Sequence, residues 1–144
     1  MQTELAIGEF VARLCPGVEH YPDWGPFRAL GFNDGEKLVA GVVFSQLNGF
    51  DALVSIAATT PRWATPGRIR RVMQFGFDEI KCVRLTAVTS KKNARARKLL
   101  RGLGFIEEGR KRKGFDGQQD CIIYGATRLD MERWLLAEKH KIAA

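Results

Sequence analysis

Apolar positions recur along the chain in two periods, and each switch from one period to the other marks the edge of an element. Leu5, Phe10, Val11 and Leu14 share one face of a helix predicted over residues 3–14, which Cys15-Pro16-Gly17 stops. Residues 16–26 hold three prolines and two glycines and read as a loop that also carries Glu19, His20, Tyr21, Asp23 and Trp24. An antiparallel meander follows: Phe27 to Asn33, a turn at Asp34-Gly35, Leu38 to Leu47, a turn at Asn48-Gly49, and Ala52 to Thr59. Ile69, Val72, Met73, Phe77 and Ile80 then repeat at helical spacing from near Gly67. Val83 to Thr89 is a β-branched strand, and Ser90 is the predicted cap of a helix buried along Ala96, Leu99, Leu100 and Leu103. Gly102 and Gly104 end that helix. Phe105 to Gly114 and Cys121 to Arg128 form a hairpin around Asp116-Gly117, and residues 130–141 a last helix with Asp130 as its cap. This order predicts an α/β fold, one mixed sheet with helices covering its faces. No linker divides residues 1–144, so a single domain is expected.

Composition narrows the classes. With 144 residues, 45% apolar and 27% charged, the chain matches a globular domain and excludes a disordered or collagen-like one. No apolar run approaches the ~18 residues of a membrane span. Met1-Gln2-Thr3-Glu4 lacks the basic start of a signal peptide, so a cytoplasmic location is expected. Cys15, Cys82 and Cys121 are odd in number and form no CxxC pair, which predicts neither a disulfide framework nor a metal site. The net charge of +7 is unevenly spread. Residues 1–61 carry three basic residues and seven acids, whereas the rest carry twenty and nine. A basic second half points to a phosphate-bearing partner, either a nucleic acid or a polyphosphate cofactor.

The basic half begins where a strand feeds a helix through Arg62-x-x-Thr65-x-Gly67. A loop entering a helix presents free N–H groups to an anion. It is not a Walker A loop, and GxGxxG is absent, which argues against a nucleotide triphosphatase or a dinucleotide-binding dehydrogenase. Arg68, Arg70 and Arg71 crowd the helix start, an arrangement the helix dipole disfavours unless an anion sits nearby.

Arg62-x-x-Thr65-x-Gly67 resembles the Q/R-x-x-G-x-G/A loop of the GNAT superfamily of acetyl-CoA-dependent N-acetyltransferases. Asn93-x-x-Ala96-x-x-Leu99-Leu100-x-x-Leu103-Gly104-Phe105 is similar to that family's N-x-x-A-x-x-L-Y-x-x-x-G-F block. Glu108-Gly109 with Gly117-x-x-Asp120-x-x-x-Tyr124 looks like the final hairpin of its ribosomal-protein N-terminal acetyltransferase branch. The likeness spans about residues 27–134. It implies acetyl-CoA as cofactor, an amine-bearing acceptor, and two central strands that splay around the cofactor. It places Ala57 and Ala58 beside the pantetheine, the loop Arg62, Trp63, Ala64, Thr65, Gly67 and Arg68 at the pyrophosphate, and Asn93 near the pantetheine arm. Arg68, Arg95 and Arg97 are in reach of the phosphates.

The chain also departs from the pattern. Thr65 replaces the first loop glycine, and Pro66 removes a donor. Leu100 stands where many relatives place a tyrosine that reprotonates the CoA thiolate, and leucine has no proton to give. Acetyl transfer still needs only a deprotonated amine held against the thioester carbonyl. The catalytic candidates are Ser55 in the third strand, Tyr124 in the last strand and Glu19 in the first loop, with His20 and Asp23 beside Glu19. The basic run Arg110-Lys111-Arg112-Lys113 suits an edge-strand guard or an acidic or RNA-bound substrate. The reading is an acetyltransferase acting as a monomer or homodimer. Its alternative is a GNAT-shaped binding protein, with nucleic acid as the partner of its basic half.

Overall fold

A computed structural model describes residues 2–15 and 24–136. Helix α1 spans Glu4–Leu14, and the Thr3 hydroxyl accepts the Ala6 amide at its start. Strands β1 (Phe27–Asp34), β2 (Lys37–Ser45) and β3 (Leu53–Ala58) form the meander. Helix α2 (Pro66–Gln74) leads through a wider π turn at Phe75–Glu79 to β4 (Arg84–Ser90). Helix α3 (Ala94–Leu103) and the hairpin β5 (Ile106–Lys111) and β6 (Cys121–Thr127) complete a six-stranded mixed sheet of order β1-β2-β3-β4-β6-β5. The α/β reading from the sequence therefore holds.

The β3–β4 pair is parallel and all other neighbours are antiparallel. The connections β3-α2-β4 and β4-α3-β5 step the same way across the sheet, and right-handed crossovers put both helices on one face. There Ile69, Val72 and Met73 of α2 and Leu100 and Leu103 of α3 share a core with Phe44, Leu85 and Tyr124. Gly76 lets the π turn approach closely, because a Cβ there would lie 3.2 Å from the Leu85 methyls. Helix α1 covers the other face, where Ile7, Val11 and Ala12 pack on Ala29, Val43 and Ala57. Gly41 makes this fit, since a Cβ there would sit 2.6 Å from Val11 Cγ2.

Two caps differ from the sequence reading. Asn93, not Ser90, caps α3: its Oδ1 accepts the Ala96 amide at 3.1 Å. Ser90 is still in the ladder opposite Cys121, and its hydroxyl accepts the Lys92 amide in the turn between. Asp130 does not cap the last helix. Its carboxylate accepts the Thr127 amide at 2.8 Å and so closes the turn after β6. A short 3-10 turn at Leu129–Met131 then leads into helical residues 132–136. The rest of the helix expected to residue 141 lies outside the described residues.

Candidate functional site

The sheet opens at its centre. β3 and β4 share one register pair, Leu53 with Thr86, supported by the Thr86 amide donating to Ala52 O at 2.9 Å. The Asp51 carboxylate accepts from the Thr86 hydroxyl at 2.9 Å and lies 3.6 Å from Arg84 Nε, which pins this closed end. Beyond it the strands diverge, and α3 lies along the opening. The gap holds two adjoining cavities of about 210 and 290 Å³.

Strand alternation decides which groups face the gap. The Thr59 amide donates to Val39 O, so odd-numbered β3 residues bond to β2. The backbone groups of Ile56 and Ala58 therefore point into the gap, where β4 has withdrawn. Ala57 lines the same cavity, but its backbone is turned toward Gly41 of β2. Cys15, at the end of α1, reaches Ile56 O with its Sγ at 3.9 Å. Burial pushes the Cys15 thiol up to about 11, so it stays neutral near pH 7.

The inner cavity is walled by Trp24, Leu53, Val54, Ala87, Leu100 and Phe115. Ser55, Thr89 and Asn93 add its hydroxyl and amide groups. Trp24 is held by its indole N–H, which donates to Gly8 O at 3.0 Å. The outer cavity runs from Ile56 along Thr59, Thr60 and Trp63 to Asn93, Arg95 and Leu99. Asn93 and Ala96 touch both cavities because α3 begins beside the opening.

The proposed phosphate loop is more occupied than its sequence suggests. The Arg62 amide donates to the Thr60 hydroxyl and the Arg68 amide to the Thr65 hydroxyl, each at 3.3 Å. The Trp63 and Thr65 amides bond within the loop, and Pro66 has no N–H. Ala64 and Gly67 keep amides that make no hydrogen bond among the described residues. A Cβ on Gly67 would meet nothing within 4 Å, so the space over this helix start is open. These features fit a pyrophosphate, with fewer donors than the motif would supply. Trp63 is buried and stacks on Phe32 with ring centroids 5.7 Å apart, so its side chain belongs to the core.

Two arginines have protein partners. Arg68 donates to Asp34 Oδ1 at 2.8 Å and to the Asn33 and Trp63 carbonyls, which ties α2 to the β1–β2 turn. Arg97 donates to the Tyr124 hydroxyl, to Lys91 O and to Glu107. The Tyr124 bond, followed by the Glu107 pair, raises the Arg97 pKa above its ordinary value. Tyr124 is fully buried beneath α3 and does not line the gap, whereas Ser55 does. Glu19, His20 and Asp23 lie outside the described residues. Sequence reasoning missed Thr89, Trp24 and Phe115, which come from three separate elements and carry no shared spacing.

No group of three or more metal-ligating side chains occurs among the described residues, and no helix there is long and apolar enough to cross a membrane. Neither a family model nor a curated protein sequence matches the chain. Solved structures do. A probable acetyltransferase is 18% identical, with 76% of this chain and 70% of that one covered and a TM-score of 0.64. Mutant forms of the spermidine/spermine N-acetyltransferase SpeG from Vibrio cholerae are 20% identical, covering 77% and 70%, with a TM-score of 0.64. The ribosomal-protein-S5-alanine acetyltransferase from Vibrio fischeri is 20% identical, covering 70% and 61%, with a TM-score of 0.58. The fold shared with these proteins is that of the GNAT acetyltransferases.

Proposed function

We propose that this GNAT-fold chain moves an acetyl group from acetyl-CoA to a primary amine. The observation that carries the reading is the gap between β3 and β4, with the Ile56 and Ala58 backbone groups turned away from β2 on one wall and open space over the start of α2. When bound, acetyl-CoA supplies a thioester whose carbonyl carbon is the electrophile.

The chain's own residues position and polarise. The Ile56 and Ala58 backbone groups would hold the extended arm, as a neighbouring strand would be held. The Ala64 and Gly67 amides and Arg95 would meet the phosphates, with Arg62 beside them. An amide N–H of the β3 wall, Ile56 first, would donate to the carbonyl oxygen as charge develops. The apolar walls from Leu53, Val54 and Leu100 exclude bulk water, so the acceptor amine sheds its proton before it is enclosed. Ser55 is assigned to pass outward the proton that the nitrogen gives up once it has bonded to the carbonyl carbon. Bound acetyl-CoA would lose its C–S bond as the C–N bond forms; the thiolate released would be protonated from water, because Leu100 offers no proton, and the proton that the new amide nitrogen gives up would balance it.

Calorimetry with acetyl-CoA, followed by a free-thiol assay over a panel of amines, tests this reading. Saturable acetyl-CoA binding and amine-dependent thiol release are expected; absence of binding ends it. Leu100 in the lining favours a second reading, a GNAT-shaped protein that binds without turnover. Binding without thiol release would select it.

A further inference from the structure

The gap and its mouth differ in charge. Among the described residues the lining of its inner cavity carries no carboxylate, and the titratable group there is the neutral Cys15 thiol. Two turns meet at the mouth. β4 leaves the gap through Lys91 and Lys92 before Asn93 caps α3, and the β5–β6 hairpin bends Phe115 into the lining. Lys111, Arg112 and Lys113 stand exposed at the base of that hairpin. The Lys91 amide donates to Asp120 O at 2.9 Å, which joins the two turns.

The hairpin's own carboxylates are already engaged. Asp120 accepts from Arg110 and from the Lys113 amide, and Asp116 from the amides of Gln118 and Gln119. Lys92, Lys111, Arg112 and Lys113 form no ion pair among the described residues. Among the described residues, the mouth thus carries exposed cations without an ion-pair partner beside an apolar slot.

Resting on the transferase reading, we propose that the acceptor is an amine on an apolar body whose far end is an anion, a carboxylate or a phosphate. The apolar body fits the walls formed by Trp24, Val54 and Phe115. The anion supplies Lys92, Arg112 and Lys113 with the counter-charge that no described residue gives them. A polycationic acceptor such as spermidine would bring its second ammonium group against these same cations, a like-charge contact that selects against it. Arg112 and Lys113 thereby gain a role that cofactor binding does not require.

The test uses four amines with the same eight-carbon chain, supplied to the full-length protein with saturating acetyl-CoA. Aminooctanoate and aminooctyl phosphate carry an anion, octylamine is neutral at its far end, and diaminooctane is cationic. The expected kcat/KM for an anionic member exceeds octylamine by roughly tenfold and diaminooctane by more, which corresponds to about 1.4 kcal/mol for the first step. The better of the two anions identifies the group recognised. The double variant Lys92→Glu with Arg112→Glu, both exposed, should bring diaminooctane above aminooctanoate. A wild-type preference for diaminooctane, or an order the variant does not move, overturns the proposal. Calorimetry of aminooctanoate and octylamine without acetyl-CoA separates it from the transferase reading. Stronger aminooctanoate binding that the variant abolishes sustains anion recognition even if no amine is acetylated. Equal binding of the two, or a short RNA that binds the mouth without competing with aminooctanoate, overturns it.

Discussion

Arg97 donates through Nε to the Tyr124 hydroxyl at 2.9 Å, and this bond ties helix α3 to the last strand of the sheet. Both residues belong to motifs that the sequence assigned to the cofactor or to proton transfer. Their contact makes them a brace that sets where α3 lies along the gap. Tyr124→Phe removes the bond and leaves Arg97 able to reach water. The expected cost is about 1–2 kcal/mol of stability, with kcat within roughly threefold of the native value. Urea melts and steady-state rates check it. An undiminished midpoint with kcat reduced thirtyfold or more would restore Tyr124 as a proton donor.

Gly67 offers a separation of fold from cofactor. Open space surrounds its missing Cβ, so Gly67→Trp should shift stability by no more than about 0.5 kcal/mol, as for other exposed positions. The indole would occupy the space over the free Ala64 and Gly67 amides. Acetyl-CoA binding is expected to weaken at least about tenfold, or about 1.4 kcal/mol. Calorimetry on a variant with an unchanged melting curve reads this directly, and unaltered affinity would move the pyrophosphate elsewhere.

The Cys15 thiol, held up to about 11 by burial, is the neutral form across the physiological range. Its alkylation by iodoacetamide at pH 8 should run roughly 100-fold slower than that of an unhindered cysteine and should keep rising with pH beyond 9. Mass spectrometry of timed samples measures it. A fast rate that levels off below pH 9 would make Cys15 a candidate acyl carrier and replace direct transfer with a two-step route.

Acid should loosen the β5–β6 hairpin before the rest of the sheet. The Lys113 amide, followed by Arg110, holds the Asp120 carboxyl below its ordinary value of 3.8. Amides of Gln119 and Gln118 lower Asp116 likewise. A carboxylate whose folded pKa is depressed stabilises fully above its unfolded value. That contribution fades as pH falls through 3.8 to the lower folded value. Amide exchange by NMR at Lys113 and Gln119 should therefore accelerate below about pH 4 while amides of β2 stay protected. Simultaneous loss of both would show that the hairpin carbonyl and amide contacts, not the carboxylates, hold the turn.

Local chemistry made much of the fold legible. The meander was readable because Asp34-Gly35 and Asn48-Gly49 bracket β-branched runs, and α2 and α3 because their apolar residues repeat at helical spacing. The Ser90 cap failed for a local reason as well. Ser90 and Asn93 are both good caps, and only the length of the β4 ladder against β6 decides that the helix starts at the second. The candidate loop from Arg62 to Gly67 was visible as a motif. The sequence could not show that Thr60 and Thr65 would turn their hydroxyls onto its amides.

By itself, then, the sequence determined the element order, the helices between the strands and the basic half, because each depends on neighbours within a few residues. Tertiary structure decided the rest. The divergence of β3 from β4 past Leu53 follows from pairing between strands far apart in the chain, pinned by Asp51 and Thr86. The engagement of Arg68 by Asp34 and of Arg97 by Tyr124 depends on side chains brought together from distant positions. The cationic mouth arises the same way: Lys92 and Arg112 are twenty residues apart, and they share one rim because Lys91 bonds across to Asp120. Charge in a sequence shows how much there is; only the packing of the strands shows which charges are already paired and which are left to meet a substrate.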